Sequence, residues 1–281
     1  MYTTVNGCRI YYEVYGEDNE NTIFFIHGAP GLGDCRSDIS VFSKLSSEYR
    51  LVFLDMRGSG RSEEVPPYTH EQWISDIDEL RKQIGVDKII IHGGSYGGFL
   101  SLEYVLRYPE HVSGVLLRDT AANQDYDDLS TETALEADLP GVTKERLERL
   151  WNGTVHSNED MKEIFAALQP LYTYEYDEEE ASEKVESIYY HYETHNYAFS
   201  VNQPNYNVEP RLKEISAPVL ISVGRHDWVT PVECSEVLHR EIPNSKLIIY
   251  ENSGHSPHLE ETESYIENMV DFINNHIEVN K

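Results

Sequence analysis

The chain has 281 residues, of which 40% are hydrophobic and 11% aromatic, so it can build a packed core and is not a disordered protein. It carries 22 Lys and Arg residues against 50 Asp and Glu residues, which gives a formal net charge of −28. Because this charge repels phosphate backbones and anionic membrane surfaces, we expect neither nucleic acid nor a membrane as a partner.

Short apolar runs rich in β-branched residues alternate with longer helical patterns along the chain. The runs predict strands, the first of them after an Asn6-Gly7 hairpin signal, at Arg9–Tyr15, Thr22–Ile26, Leu51–Leu54, Lys88–His92, Val112–Leu117, Pro218–Val223 and Lys246–Tyr250. The predicted helices are Ile39–Ser47, Gln72–Ile84, Phe99–Arg107, Val232–Glu241 and Thr262–His276. Such runs are typical of strands buried on both faces, so the pattern predicts an α/β fold whose mostly parallel sheet is flanked by helices.

The alternation is interrupted between residues 121 and 210, where helical patterns replace the strands. This segment holds 20 Asp and Glu residues against five Lys and Arg residues, together with nine of the 20 tyrosines. We therefore expect a helical cap at residues 121–210, inserted into a core formed by residues 1–120 and 211–281. Most of the acidic side chains are expected to face solvent, as charged runs usually do.

The strongest chemical signal is a glycine-rich turn between a strand and a helix. Gly93-Gly94-Ser95-Tyr96-Gly97 fits the pattern G-x-S-x-G, directly after an apolar run and before a helical one. In this context the pattern is typical of a nucleophile elbow, in which a strained turn presents the serine at the start of a helix. Ser95 is therefore the predicted nucleophile.

An acyl-transfer site also needs backbone N–H groups that stabilise the developing oxyanion. The loop after the second predicted strand reads His27-Gly28-Ala29-Pro30-Gly31. Proline has no N–H, so Ala29 is the best donor on this loop, and Tyr96, directly after the nucleophile, supplies the second one. His27 is expected to hold the backbone rather than take part in the chemistry.

A serine nucleophile needs a general base, and the base needs an acid that orients it. His255 and Asp227 each follow a predicted strand, which places them at the same edge of the sheet as Ser95. Two alternatives remain open at this point. His258 lies three residues beyond His255 and could be the base, and Asp119 ends an earlier strand and could be the acid.

Taken together, these residues resemble the α/β-hydrolase superfamily, and more closely its proline iminopeptidase branch. The segments that carry the resemblance are His27–Gly31, Asp55–Ser62, which reads Asp-Met-Arg-Gly-Ser-Gly-Arg-Ser, and Gly93–Gly97. The resemblance covers nearly the whole chain and implies the triad Ser95, Asp227 and His255, with the oxyanion donors Ala29 and Tyr96. It also implies a structural role for the Asp55–Ser62 loop, in which Arg57 forms a salt bridge within the core.

The chain departs from this branch where some of its members bind the free amine of the substrate with two glutamates. One of these positions directly follows the catalytic aspartate and is Trp228 here, and the other falls near Asn196 in the predicted cap. Glu193, three residues before Asn196, is the available substitute. We therefore take Glu193, Asn196 and Trp228 as candidate substrate-binding residues.

These patterns predict a serine hydrolase that cleaves a small carboxylic ester or amide through an acyl-enzyme. The alternatives are an aminopeptidase of the proline iminopeptidase type, which would act on a short peptide, and a ligand-binding relative without turnover. No metal or other cofactor is expected, because the triad and the oxyanion donors supply the base and the electrophile. The N-terminus has no signal-peptide pattern and Cys8, Cys35 and Cys234 lie far apart, so a cytoplasmic location is expected.

Overall fold

A computed structural model describes residues 1–278 and contains one eight-stranded sheet in the order β1-β2-β4-β3-β5-β6-β7-β8. The strands are β1 (Tyr2–Val5), β2 (Cys8–Tyr15), β3 (Thr22–Ile26), β4 (Arg50–Leu54), β5 (Ile89–Gly94), β6 (Val112–Arg118), β7 (Val219–Gly224) and β8 (Ser245–Tyr250). The pairs β1–β2 and β2–β4 are antiparallel, and all other neighbours are parallel. The predicted α/β architecture with a mostly parallel sheet is confirmed.

Helices cover both faces of the sheet and fill the long connection between β6 and β7. They are α1 (Arg36–Phe42), α2 (His70–Gln83), α3 (Tyr96–Arg107), α4 (Asp127–Glu136), α5 (Lys144–Trp151), α6 (Asn158–Tyr172), α7 (Glu178–Ser187), α8 (Tyr192–Tyr197), α9 (Val232–Glu241), α10 (Pro257–Glu260) and α11 (Thr262–His276). Within residues 1–278, no helix combines the length and the apolar character that crossing a bilayer requires.

The alternation of side chains along β3 shows how the sheet builds two cores. Phe24 and Ile26 pack into a hydrophobic cluster with residues of α2 and α3 on one face. Ile23 and Phe25 pack into a second cluster with residues of α1 and α11 on the other face. All five residues of the strand are buried, which explains why the sequence shows an uninterrupted apolar run there instead of alternation.

The local signals in the sequence correspond to turns and helix starts in the structure. Asn6 and Gly7 have φ values of 45° and 76° and join β1 to β2, as the hairpin signal predicts. Four helices begin after a side chain that accepts a hydrogen bond from the N–H three residues further on, namely α2 after Thr69, α5 after Thr143, α6 after Ser157 and α7 after Asp177. The predicted helix Ile39–Ser47 is shorter than expected, because α1 ends at Phe42 and a 3₁₀ turn follows.

Every regular element that the structure describes between β6 and β7 is helical. The helices α4 to α7 share a third hydrophobic cluster, separate from the two beside the sheet, which includes Leu150, Ile164 and Val185. Two residues from outside residues 121–210, Leu32 and Trp228, belong to the same cluster. The division of the chain into a core and a cap stays a prediction, and residues 121–210 are called the inserted segment below.

Candidate active site

Ser95 lies in the strained turn between β5 and α3. Its φ and ψ are 53° and −123°, a left-handed conformation that L-residues rarely adopt. Glycine is required on both sides for steric reasons. A Cβ atom at Gly93 would overlap the carbonyl of Gly97, and one at Gly97 would overlap the carbonyl of Ile26. The turn therefore holds the serine in place while backbone passes close to it on either side.

The three residues predicted to form the triad lie within hydrogen-bond distance of one another. The Oγ atom of Ser95 is 3.0 Å from Nε2 of His255, and Nδ1 of His255 is 2.8 and 2.9 Å from the two carboxylate oxygens of Asp227. The Asp227 carboxylate is buried and also accepts hydrogen bonds from the N–H groups of Val229 and Thr230 and from the Thr230 hydroxyl. These bonds fix the carboxylate so that Nδ1 of the imidazole carries the proton and Nε2 faces the serine.

Asp119, the alternative acid, lies close to the triad but does not contact it by a hydrogen bond in the described chain. One of its carboxylate oxygens accepts the N–H of Gly224 at 3.0 Å, and the other has no hydrogen-bond partner among residues 1–278. Burial, together with the nearby charge of Asp227, raises the pKa of the Asp119 carboxyl well above its usual value. Of the two acids, Asp227 contacts the imidazole of His255, and Asp119 instead bonds the backbone of Gly224.

The alternative base, His258, occupies a different environment from His255. Its ring stacks on Phe42 with a centroid separation of 6.1 Å, and its Nε2 atom is 3.3 Å from the hydroxyl of Ser37. The side chain is buried, and this burial holds the pKa of its imidazole well below the usual value. Of the two histidines, the structure brings His255 to Ser95.

The two predicted oxyanion donors line the same cavity as Ser95. Tyr96 is the first residue of α3, so its N–H has no acceptor within the helix. Among residues 1–278, the Ala29 N–H donates none of the backbone hydrogen bonds found in turns and loops. The loop passes close to the nucleophile, since a Cβ atom at Gly28 would lie 3.3 Å from the Cβ of Ser95. Both amides are thus available near the serine.

His27 holds the loop that carries Ala29. Its Nε2 atom accepts the N–H of Met56 at 3.0 Å, so Nδ1 carries the proton and donates to the carbonyl of Gly28 at 2.8 Å. The ring is buried. This arrangement agrees with the structural role expected from the sequence, because both ring nitrogens are already occupied by backbone groups.

A cavity of about 480 Å³ opens over Ser95, between the sheet edge and the inserted segment. Its size falls within the usual range for small-molecule sites, about 300–1,000 Å³. The aromatic residues of its walls come from α3 and from the inserted segment: Phe99, Tyr126, Trp151, Phe165, Tyr172 and Phe199. The ring of Tyr172 meets the ring of His255 edge-on with a centroid separation of 5.7 Å. The site therefore suits a substrate with an apolar group near the scissile bond.

None of the three residues predicted to bind substrate is among the described residues that line this cavity. Glu193 is exposed, and the amide of Asn196 is used to bind the N–H and carbonyl of Val155 at 3.0 and 2.8 Å. Trp228 is buried in the hydrophobic cluster of the inserted segment, where it packs against Trp151 and Tyr172. Their placement gives no support to a role in amine binding, because each side chain points to solvent or serves the packing.

Two charged residues of the inserted segment that the sequence analysis did not single out do line the cavity, Asp127 and Lys184. Burial raises the pKa of the Asp127 carboxyl to about 6, and burial lowers the pKa of the Lys184 ammonium. In the sequence both residues lie in acidic helical stretches, so nothing distinguishes them from solvated surface charges. Only the tertiary structure shows which of the charges face the cavity.

The described residues contain one group with the geometry of a metal site. The ligand atoms of Asp119, Asp227 and His255 lie within 4.8 Å of one another. The same atoms of Asp227 and His255, however, form the hydrogen bonds of the triad described above. The arrangement therefore suits proton transfer through the imidazole.

Residues 21–262 match the family described as the alpha/beta hydrolase fold, and the chain belongs to that family. It is 32% identical to a proline iminopeptidase from Pestalotiopsis fici, over 93% of this chain and 95% of that protein. It is 29% identical to a proline iminopeptidase from Saccharolobus solfataricus, over 97% of this chain and 91% of that one. An esterase from Exiguobacterium antarcticum has the same fold, with a TM-score of 0.79, 23% identity, and coverage of 98% and 99% of the two chains.

Proposed function

We propose that this chain is a serine hydrolase that cleaves a small carboxylic ester or amide through an acyl-enzyme. The observation that carries the proposal is the continuous contact from Ser95 through His255 to Asp227, with distances of 3.0, 2.8 and 2.9 Å. Nucleophile, base and orienting acid within hydrogen-bond reach are the signature of covalent catalysis by an activated serine. Membership of the alpha/beta hydrolase family supports the same reaction class.

The reaction follows from the positions of these side chains. The Oγ atom of Ser95 attacks the carbonyl carbon while Nε2 of His255 takes its proton, and the N–H groups of Ala29 and Tyr96 bind the oxyanion. The bond to the leaving group then breaks, and His255 returns the proton to the departing oxygen or nitrogen. A water molecule repeats the sequence on the ester of Ser95, which releases the carboxylic acid and restores the serine. Asp227 stabilises the imidazolium of His255 during both acylation and deacylation.

An aminopeptidase of the proline iminopeptidase type is the second candidate, and Asp127 is the observation that favours it. Within residues 1–278, the carboxylate of Asp127 has no hydrogen-bond or ion-pair partner, although it lines the cavity and is partly buried. Burial destabilises the charged form of such a carboxylate, and a bound ammonium group would stabilise it. In this candidate Asp127 binds the free amine of the substrate, the role for which Glu193 was the candidate in the sequence. The relatives named above as proline iminopeptidases support it.

The first experiment is labelling with a fluorophosphonate, which reacts readily only with an activated serine. We expect one labelled site, with labelling and turnover lost in Ser95→Ala. Ser182→Ala, which changes an exposed serine outside the cavity, is the control and should be labelled like the wild type. Labelling that persists in Ser95→Ala would refute the nucleophile, and no labelling of the wild type would favour a ligand-binding protein without turnover.

A substrate panel then separates the two candidates. Prolyl arylamide, its N-acetyl derivative and a short acyl ester of a comparable leaving group are compared by kcat/KM. An aminopeptidase cleaves the first much faster than the other two, whereas an esterase cleaves the acyl ester and is indifferent to the amine. If Asp127→Asn no longer prefers the substrate with a free amine, Asp127 is the residue that binds the amine.

A further inference from the structure

The cavity over Ser95 contains, apart from its histidines, three acidic and three basic side chains. Four of these six form two ion pairs. Arg36 is 2.6 Å from Asp34, and Arg118 is 2.9 Å from Asp38. The remaining two are Asp127, discussed above, and Lys184. The cavity therefore offers one basic side chain that no acid of the described chain neutralises by direct contact.

Lys184 differs in this respect from the other basic residues of the inserted segment. That segment has five Lys and Arg residues among 20 Asp and Glu residues. The other four form ion pairs: Lys144 with Glu148, Arg146 with Glu163, Arg149 with Glu145 and Asp160, and Lys162 with Glu186. Within residues 1–278, Lys184 forms none, although it belongs to a segment in which acidic residues outnumber basic ones four to one. A basic residue left unpaired there is therefore available to bind something else.

Aromatic rings hold the amine of Lys184 near the catalytic base. Its Nζ atom is 5.7 Å from the centroid of Phe165 and 5.5 Å from that of Tyr172. Tyr172 is the residue whose ring contacts His255, at a centroid separation of 5.7 Å. One aromatic side chain thus separates the amine from the imidazole that serves the scissile bond.

Glu260 interacts electrostatically with Lys184 without forming an ion pair with it. Its carboxylate is already used by the backbone N–H groups of Tyr174 and Gly254, at 2.6 and 2.8 Å. The Lys184 side chain as a whole is exposed and lines the cavity, so a ligand can reach it. Its amine end is buried by the surrounding protein, and this burial lowers the pKa of the ammonium. A bound anion would stabilise the charged form again.

We propose that Lys184 binds a carboxylate group of the substrate, at a point separated from the imidazole of His255 by the ring of Tyr172. This inference rests on the proposed hydrolase function and adds a substrate class to it: esters or amides that carry a second, ionised carboxyl group. The carboxylate belongs either to the acyl part, as in a dicarboxylic half-ester, or to the leaving group, as in a free dipeptide. A net charge of −28 repels such substrates from the rest of the surface, so a local cation is needed to hold them.

The test compares matched substrate pairs on the full-length enzyme at physiological salt. One pair is a glutarate half-ester of nitrophenol and the same compound with its carboxylate methylated. The other pair is prolyl-glycine and prolyl-glycinamide. In at least one pair the wild type should prefer the ionised member, and Lys184→Met should reduce the ratio of the two kcat/KM values by about 10-fold, the effect of losing one charge-assisted hydrogen bond. The pair in which the ratio changes identifies the source of the carboxylate.

Two further variants serve as controls. Lys184→Arg keeps the positive charge and should keep the preference. Lys162→Met removes a lysine that is paired with Glu186 outside the cavity, and its ratio should equal that of the wild type. If Lys184→Met has the wild-type ratio in both pairs, the inference is wrong although the hydrolase proposal stands. If the wild type hydrolyses no member of either pair and Ser95 is not labelled, the proposed function itself has failed.

Discussion

Tyr96 and His70 are joined by a hydrogen bond of 2.6 Å between the tyrosine hydroxyl and Nε2 of the imidazole. The other ring nitrogen of His70 is 2.9 Å from the carboxylate of Glu103, and the Tyr96 hydroxyl is also 3.3 Å from the carbonyl of Ala198. The residue whose N–H is proposed to bind the oxyanion is thus fixed through its side chain to α2, to α3 and to the inserted segment. This arrangement leads to the first prediction.

Tyr96→Phe should destabilise the protein more than it slows catalysis. The change removes the partner of Nε2 of His70 in a partly buried position, which should cost about 0.5–1.5 kcal/mol of unfolding free energy. The backbone N–H of residue 96 is retained, so kcat should fall only a few-fold. Urea unfolding and steady-state kinetics measure the two effects. Tyr174→Phe, which alters an exposed hydroxyl, is the control, and a Tyr96→Phe protein as stable as that control would contradict the prediction.

His255→Ala and His258→Ala should have opposite effects. Loss of His255 removes the base and should lower kcat by about 10,000-fold or more, with the unfolding free energy nearly unchanged. Loss of His258 opens a space beside Phe42 and should reduce stability while most of kcat remains. Kinetics and thermal unfolding of the two variants are measured together. A mild His255→Ala combined with an inactive, folded His258→Ala would transfer the role of base to His258.

Asp227→Asn should lower kcat by about 10,000-fold, because an amide at this position favours the wrong tautomer of His255. Asp119→Asn should have a much smaller effect, since Asp119 bonds the Gly224 N–H and not the imidazole. Both variants keep the size of the side chain, so folding can be checked by circular dichroism. The opposite order of activities would make Asp119 the orienting acid.

The effect of Asp127 on the stability of the protein should depend on pH. Its folded-state pKa of about 6 lies above the ordinary aspartate value of 3.8, so its charged form is the costly one in the folded protein. The cost is absent below pH 3.8, grows between pH 3.8 and 6, and is fully present above pH 6. Asp127→Asn should therefore raise the thermal unfolding temperature at pH 7 and have little effect near pH 4. Equal shifts at both pH values would contradict this assignment.

The same carboxylate predicts a pH profile for amine recognition. If Asp127 binds the ammonium of an aminoacyl substrate, kcat/KM for that substrate should rise with pH through about 6, as the carboxylate ionises. A neutral acyl ester shares the triad but not this contact, so the ratio of the two kcat/KM values isolates Asp127. In Asp127→Asn the ratio should not vary with pH. A ratio already constant in the wild type would exclude this residue as the amine site.

Arg57→Ala should be strongly destabilising, since it leaves a carboxylate uncompensated in the interior. Arg57 is 2.7 Å from Asp76, and both side chains are buried. Removing one partner of such a pair costs about 3–5 kcal/mol of unfolding free energy. Arg225→Ala breaks an exposed pair with Glu251 and should change the unfolding free energy little, because water and salt screen exposed ion pairs. Denaturant unfolding measures the unfolding free energies of the two variants. Similar losses of unfolding free energy in both would contradict the prediction that the buried pair matters more for stability.

Much of the fold could be predicted because parallel strands buried on both faces leave continuous apolar runs in the sequence. The run Thr22–Ile26, for example, coincides with β3. That Ser95, Asp227 and His255 lie close together could be predicted for a related reason, since each follows a strand and the carboxyl ends of parallel strands share one edge. Arg57 lies within the core, as the sequence predicts, and its partner there is Asp76.

The lining of the cavity could not be predicted in the same way. The position of Asn196 follows from a count along the chain, and Glu193 is the acidic residue nearest to it, but a count does not specify which face of a helix is turned toward the site. The side chains of Asp127 and Lys184 line the cavity, yet in the sequence they are two charges among 25 in the inserted segment. Their availability depends on which other charges are paired, and such partners are distant in the sequence, by 24 positions for Lys162 and Glu186 and by 80 for Arg118 and Asp38.

The N–H of His255 donates to the carbonyl of Tyr172 at 2.9 Å, at the end of α6. A Cβ atom at Gly254 would meet the same carbonyl at 2.5 Å. The loop that carries the imidazole therefore rests directly on the inserted segment. For protein engineering this means that the segment is no interchangeable module. A chimaera that takes the helices of the inserted segment from a relative must preserve the backbone position of residue 172. Otherwise the loop that carries His255 must be exchanged together with those helices.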